Sequence, residues 1–196
     1  MTRTRGNVEA EFSLKNFKQA YVSNYKWAME QLDESALRLA IDFVKTANHI
    51  FVGGNGGSAA ISNHLCCDFM KGTKHKKHSP IRVTSLSCNV PIITAIANDI
   101  GYDQTLAFQL EELLQDGDVV ILISSSGNSP NIIEAAKVAK SKGSIIIGIT
   151  GFKGGKLAEI SDVSLHIPYG NYGVVEDCHQ SIMHIISQYI SHERSI

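Results

Sequence analysis

Apolar residues fall into two kinds of run along the chain. Five short, largely apolar blocks at 50–52, 81–86, 118–123, 144–150 and 163–167 read as strands. Between them the spacing turns helical. Residues 12–32 place Leu14, Phe17, Tyr21, Tyr25, Ala28 and Leu32 at intervals of three and four. Leu37, Ala40, Ile41 and Val44 mark one face of a second helix, with Asp33 and Ser35 as candidate caps. Further helices are predicted at 58–71, 91–97, 104–114, 130–142, 156–160 and 174–192, the last with the stripe Cys178, Ile182, Ile185 and Tyr189. Strands alternating with helices predict a three-layer α/β sandwich. Its mostly parallel sheet is covered on both faces, with two helices before it and a long one closing it. Residues 1–10 read as a frayed, flexible terminus and 11–196 as a single domain.

Two strand-to-helix turns carry the candidate chemistry. After the first strand come Gly53, Gly54, Asn55, Gly56, Gly57 and Ser58. Glycine tolerates the backbone angles that let successive N–H groups converge, and the following helix start adds unpaired donors and partial positive charge. The second turn, Ser124, Ser125, Ser126, Gly127, Asn128 and Ser129, leads into Pro130 at a first helical position. It offers four hydroxyls and no lysine or arginine, which suits one phosphate ester. Both turns would lie at the carboxyl ends of strands, where open α/β sheets bind ligands.

Familiar alternatives fail on spacing. No lysine stands where a nucleotide P-loop needs one. Gly54, Gly56 and Ala59 match a loosened dinucleotide fingerprint, but residues 71–87 contain no Asp or Glu to hold a ribose, so no nucleotide cofactor is expected. The serine turn lacks the first glycine of a hydrolase elbow.

Composition narrows the class further. A formal net charge of −1 implies neither nucleic acid nor a membrane surface as partner. The apolar runs are far short of the ~20 residues of a membrane span, and no apolar segment follows the basic start to make a secretory signal. Cys66, Cys67, Cys88 and Cys178 show no zinc-finger spacing and read as buried thiols in a reducing cytoplasm. The basic loop from Lys71 to His78 reads as a solvated loop, with attraction of an anionic substrate as its functional alternative. It is too short, and has no interleaved aromatics, for nucleic acid.

Two helices add titratable groups. His64 and Asp68, four apart, share one helix face. The last helix carries Glu176, His179, Gln180 and His184, with Glu176 and Gln180 roughly opposite its apolar stripe. Histidine with carboxylate suits a metal site or an acid/base pair.

Taken together, Gly54 to Ser58, His64, Ile96-Ala97-Asn98-Asp99 and Ser124 to Ser129 resemble the sugar isomerase (SIS) domain family, and within it the bacterial phosphoheptose isomerases. The resemblance spans nearly the whole chain. It implies a flavodoxin- or Rossmann-like fold and an aldose–ketose isomerase. Such enzymes turn sedoheptulose 7-phosphate into D-glycero-D-manno-heptose 7-phosphate for the heptose of lipopolysaccharide or capsule. It also implies a cytoplasmic homotetramer with sites between subunits, and zinc. By position, Asn55, Gly56, Gly57, Ser58, Asn98, Asp99 and Glu176 would contact the sugar. Ser124, Ser125, Ser126 and Ser129 would hold its phosphate. His64, Asp68, Glu176 and His184 would be metal ligands, with Asp68, Glu176 and His184 catalytic. The family pattern has Glu at the Asp68 position and Gln at the Glu176 position. The rival implied by the same resemblance is a non-catalytic SIS protein that binds a sugar phosphate or a partner protein.

Overall fold

The structure, a computed structural model, describes residues 13–196; the frayed terminus expected for 1–10 lies outside the described residues. Two helices, α1 (Leu14–Glu30) and α2 (Glu34–Thr46), precede the sheet. Then follow β1 (Ile50–Gly54), α3 (Gly57–Cys67), β2 (Val83–Ser85), α4 (Val90–Asp99), α5 (Ala107–Leu113), β3 (Val119–Ser124), α6 (Pro130–Ser141), β4 (Ile145–Thr150), α7 (Gly155–Ile160), β5 (Val163–His166) and α8 (Tyr172–Ser195). All strand pairs are parallel, in the order β2-β1-β3-β4-β5.

Alternation along the strands builds two cores, because successive side chains point to opposite faces. Ile50, Val52, Val119, Ile121 and Ile123 face α2, α3 and α8, meeting Ile41, Leu65, Cys178 and Ile182. Phe51, Val120 and Leu122 face the other way, onto Leu110, Ile132 and Leu157 of α5, α6 and α7. The expected three-layer sandwich is therefore present.

Three local features differ from the sequence expectation. The second strand shrinks to Val83–Ser85, an edge strand paired only with β1. The helix expected over 58–71 ends at Cys67 and continues as a π-helical turn, Asp68–Gly72. That over 104–114 divides into a 3₁₀ turn, Tyr102–Gln104, and α5. The thiols also differ: only Cys178 is buried, while Cys66 is half-buried and Cys67 and Cys88 are exposed. Cys67 and Cys88 stand at the end of a helix and in a turn, outside both cores.

The order of strands creates one topological switch. The chain runs from β1 outward to β2, then returns across β1 to β3. Consequently α3 and α6 cover opposite faces, and their N-termini flank the crevice beyond Gly54 and Ser124. Registry aligns these ends, with Gly54 opposite Ile123. Open α/β sheets bind their ligands in such a crevice, at the switch point.

Candidate active site

The crevice is lined by Asn55, Ser58, Ser124, Ser125, Ser126, Ser129, Tyr172 and Glu176, around a cavity of 170 Å³. Two helix starts open onto it without side-chain caps. Gly56, at φ +53°, opens α3, and the Ser129 hydroxyl makes no bond to α6. By contrast α1, α2, α4 and α8 are closed by Ser13, Asp33, Asn89 and Asn171. Neither start spends its first amides on a side-chain cap, so the partial positive charge of both helix ends faces the crevice, although Pro130, the first residue of α6, has no N–H to offer. Ser125 adds a buried hydroxyl with no hydrogen-bond partner. The serine turn itself is tight: Gly127, at φ +65°, has the carbonyl of Gly154 where a Cβ would stand.

Glu176 reaches this crevice from α8. Its carboxylate lies against the first turn of α3, so that a Cβ at Gly57 would stand 2.6 Å from Oε2. One and two further turns along α8 come Gln180 and His184, which share a side-chain contact of 2.9 Å. The three side chains form a polar ladder, with Glu176 and His184 about 12 Å apart at 1.5 Å per residue.

At the far end of the ladder is a second cluster. His184 Nδ1 lies 3.1 Å from Asp68 Oδ2, and His64 Nε2 lies 3.5 Å from Asp68 Oδ1. The two imidazoles meet edge to face at 5.1 Å. One ligand atom from each of His64, Asp68 and His184 lies within 4.8 Å of the others. Asp68 stands at the junction of α3 with the π-helical turn, where a change of pitch re-aims side chains and functional residues are common.

A larger cavity, 480 Å³, lies at the amino ends of the strands among Asn48, His49, Arg82, Asp116 and Asp118. It touches neither turn nor cluster. Size alone would choose it, but the carboxyl ends carry the uncapped starts of α3 and α6, the unpaired Ser125 hydroxyl and the His64–Asp68–His184 cluster.

An SIS-domain family model matches residues 19–151. Phosphoheptose isomerase from Aliarcobacter butzleri is 37% identical over 167 residues, covering 85% of this chain and 88% of that one. That from Nitratidesulfovibrio vulgaris Hildenborough is 33% identical over 163 residues, covering 83% and 77%. The solved structure of phosphoheptose isomerase from Neisseria gonorrhoeae superposes with a TM-score of 0.83 at 28% identity, covering 92% of this chain and all of that one.

The chain belongs to the SIS domain family.

Within this SIS fold the expected site residues divide into three places. The phosphate set Ser124, Ser125, Ser126 and Ser129 gathers in the crevice with Asn55, Ser58 and Glu176. His64, Asp68 and His184 gather in the second cluster. Glu176, expected among the metal ligands, is not brought into that cluster, because it lies eight positions, about two turns, from His184 along α8. Asn98 and Asp99 end α4 on the surface, bonded to each other at 2.7 Å, and do not line the crevice.

Sequence reasoning missed two residues that touch the crevice or its lining. Tyr172, exposed, lines it from the first turn of α8. Asn131, 2% exposed, pairs with Asn55 from beneath. A polar residue next to Pro130, in the first turn after the serines, was the available signal. The basic loop is tied at Thr73 and Ser79 by Arg194 and follows the far end of α3, about 20 Å from Gly57 by helical rise. That exceeds the ~8 Å screening length at physiological salt, so within one chain it does not reach the crevice electrostatically.

Proposed function

We propose that this SIS-family protein is a phosphosugar aldose–ketose isomerase converting sedoheptulose 7-phosphate to D-glycero-D-manno-heptose 7-phosphate, for surface-polysaccharide heptose. Phosphoheptose isomerase relatives over most of the chain support the reaction class. The observation that carries the reading is the division of labour along α8. An anion-binding crevice stands at one end of the Glu176–Gln180–His184 ladder, and a carboxylate between two imidazoles at the other.

That separation fits the substrate. In a heptulose 7-phosphate the ester and the carbonyl carbons are at opposite ends of the chain. The serine turn holds the dianion, and binding energy gained there orients the remote reacting carbons. The base therefore belongs to the cluster remote from the serines. Asp68 takes the proton from C1 and returns it to C2, while His184 moves a proton between the two sugar oxygens. Glu176, a carboxylate that only accepts hydrogen bonds, faces sugar hydroxyls and not the phosphate.

His64, Asp68 and His184 fit a metal ion: they supply N and O donors, and Asp68 Oδ2 is buried with no hydrogen bond of its own. Bound zinc would act there as a Lewis acid on a sugar oxygen. Asp68 has two oxygens, one for a cation and one for a proton.

We further infer a cytoplasmic homotetramer. The 170 Å³ crevice is smaller than the ~300–1,000 Å³ typical of ligand sites, so a second copy would complete it. On α1, Leu14 and Val22 are 79% and 59% exposed, beside a groove lined by Tyr21, Val22 and Tyr25 against α8. Surfaces of this kind mark association sites. Among the described residues no helix is long and apolar enough to cross a membrane.

The deciding experiment is incubation with sedoheptulose 7-phosphate, with and without added zinc, following aldose formation. Turnover supports the enzyme. Binding of the sugar phosphate without turnover at any metal loading would instead favour the non-catalytic reading.

A further inference from the structure

Asn55 is the first residue after β1 and the lining residue that joins both turns. Its carboxamide exchanges two hydrogen bonds with that of Asn131, each 2.8 Å. The hydroxyl of Tyr102, from the 3₁₀ turn, donates to Asn55 Oδ1 at 2.9 Å. Asn131 is 2% exposed, and neither it nor Tyr102 lines the crevice.

The inventory of a carboxamide is short: two acceptor sites on oxygen and two N–H donors. At Asn55 both acceptor sites are filled, one by Asn131 Nδ2 and one by the Tyr102 hydroxyl. One donor is given to Asn131 Oδ1. A single N–H is left for a ligand in the crevice. An unrestrained asparagine could turn its amide over and meet a hydroxyl with either end. This one can meet only an acceptor.

We propose that Asn131 and Tyr102 are positioning residues that lock Asn55 as a donor-only group, so that at this point the crevice takes only an acceptor oxygen of the ligand. The inference rests on the sugar-phosphate reading and names how one contact of that site is enforced. The same pair of bonds ties the β1 turn to the β3 turn across the switch point, and so sets the width of the crevice. Preorganised donors of this kind cost no reorganisation when charge develops opposite them.

The test has a substrate arm and a substrate-free arm. In the first, Asn55→Ala, Asn131→Ala, the double variant and Tyr102→Phe are assayed with sedoheptulose 7-phosphate. Tyr102 is exposed, so its variant keeps the fold even if Asn131→Ala does not. Tyr102→Phe is expected to lower kcat/KM roughly two- to tenfold, the size of one neutral hydrogen bond. Asn131→Ala should lower it at least as much, and should add nothing in the Asn55→Ala background, since it acts only through Asn55. Losses that multiply in the double variant, or a Tyr102→Phe enzyme equal to wild type, would overturn the proposal.

In the second arm, the side-chain amide of Asn55 is observed by NMR in the free, ¹⁵N-labelled protein. A lock gives two well-separated proton resonances, which Tyr102→Phe shifts toward free-amide positions. An Asn55 amide already at free-amide positions in the wild type would refute the lock. This arm needs no turnover, so a lock seen in a protein that does not isomerise the sugar would sink the isomerase reading and leave the lock standing.

Discussion

His184 Nδ1 stands 3.1 Å from Asp68 Oδ2, an oxygen sealed from solvent that makes no hydrogen bond. A carboxylate so placed has its proton partner chosen for it. Asp68→Asn keeps the shape and removes the base. The expected loss in kcat is of the order of 10²–10⁴, the usual range for a general base, with KM for sedoheptulose 7-phosphate little changed. Steady-state kinetics decide it, and wild-type turnover in Asp68→Asn would remove Asp68 from the reaction.

Glu176 should behave in the opposite way. It lines the serine crevice and leans on the start of α3, so its charge opposes an arriving dianion. Glu176→Gln restores the amide usual in the resembling family. KM is expected to fall roughly two- to tenfold, from a like-charge repulsion of the order of 1 kcal/mol in a wet site. Turnover should stay within a fewfold of wild type. A collapse of kcat instead would make Glu176 the base.

The unpaired hydroxyl of Ser125 predicts two effects of opposite sign. A buried hydroxyl without a partner costs about 1–3 kcal/mol, so Ser125→Ala should leave the melting temperature unchanged or raise it. The same change removes a hydrogen bond to a charged ligand, again worth about 1.5–3 kcal/mol, and should raise KM about tenfold or more. Destabilisation without a change in KM would mean that the hydroxyl serves the fold and not the ligand.

Much of this was legible before any coordinates. Strands buried on both faces read as unbroken apolar runs, and the Gly and Ser turns that end β1 and β3 announce themselves. That is why the sheet, the crevice and its serines could be placed from residue order alone. Asp68 was found by its spacing from His64, but its aim depends on a π-helical turn, which a 3.6-residue period cannot reveal. Glu176 joined the expected metal ligands through the family resemblance alone, not through its spacing. Eight positions along α8, about two turns, part it from His184 within one chain. The Asn55–Asn131 pair joins positions 76 apart in sequence, and no local pattern marks it.

Acid should weaken the fold through a histidine that takes no part in the chemistry. His179 on α8 is fully buried, and neither ring nitrogen has a well-aligned partner. Burial pushes its pKa down to about 4, against a weaker upward pull from the nearby Thr150 backbone. Unfolding returns it to about 6.5, so between these values the unfolded chain binds the extra proton. The stabilisation is complete above about pH 6.5 and is lost as pH falls toward 4, at most roughly 3 kcal/mol. His166, beside Thr150, is also pushed down by burial and acts in the same direction. Urea midpoints measured from pH 7.5 to 4 should therefore fall steadily. His179→Leu, which removes the buried ring nitrogens, should flatten that fall without abolishing it. An unchanged slope in His179→Leu would show that other groups carry the acid sensitivity.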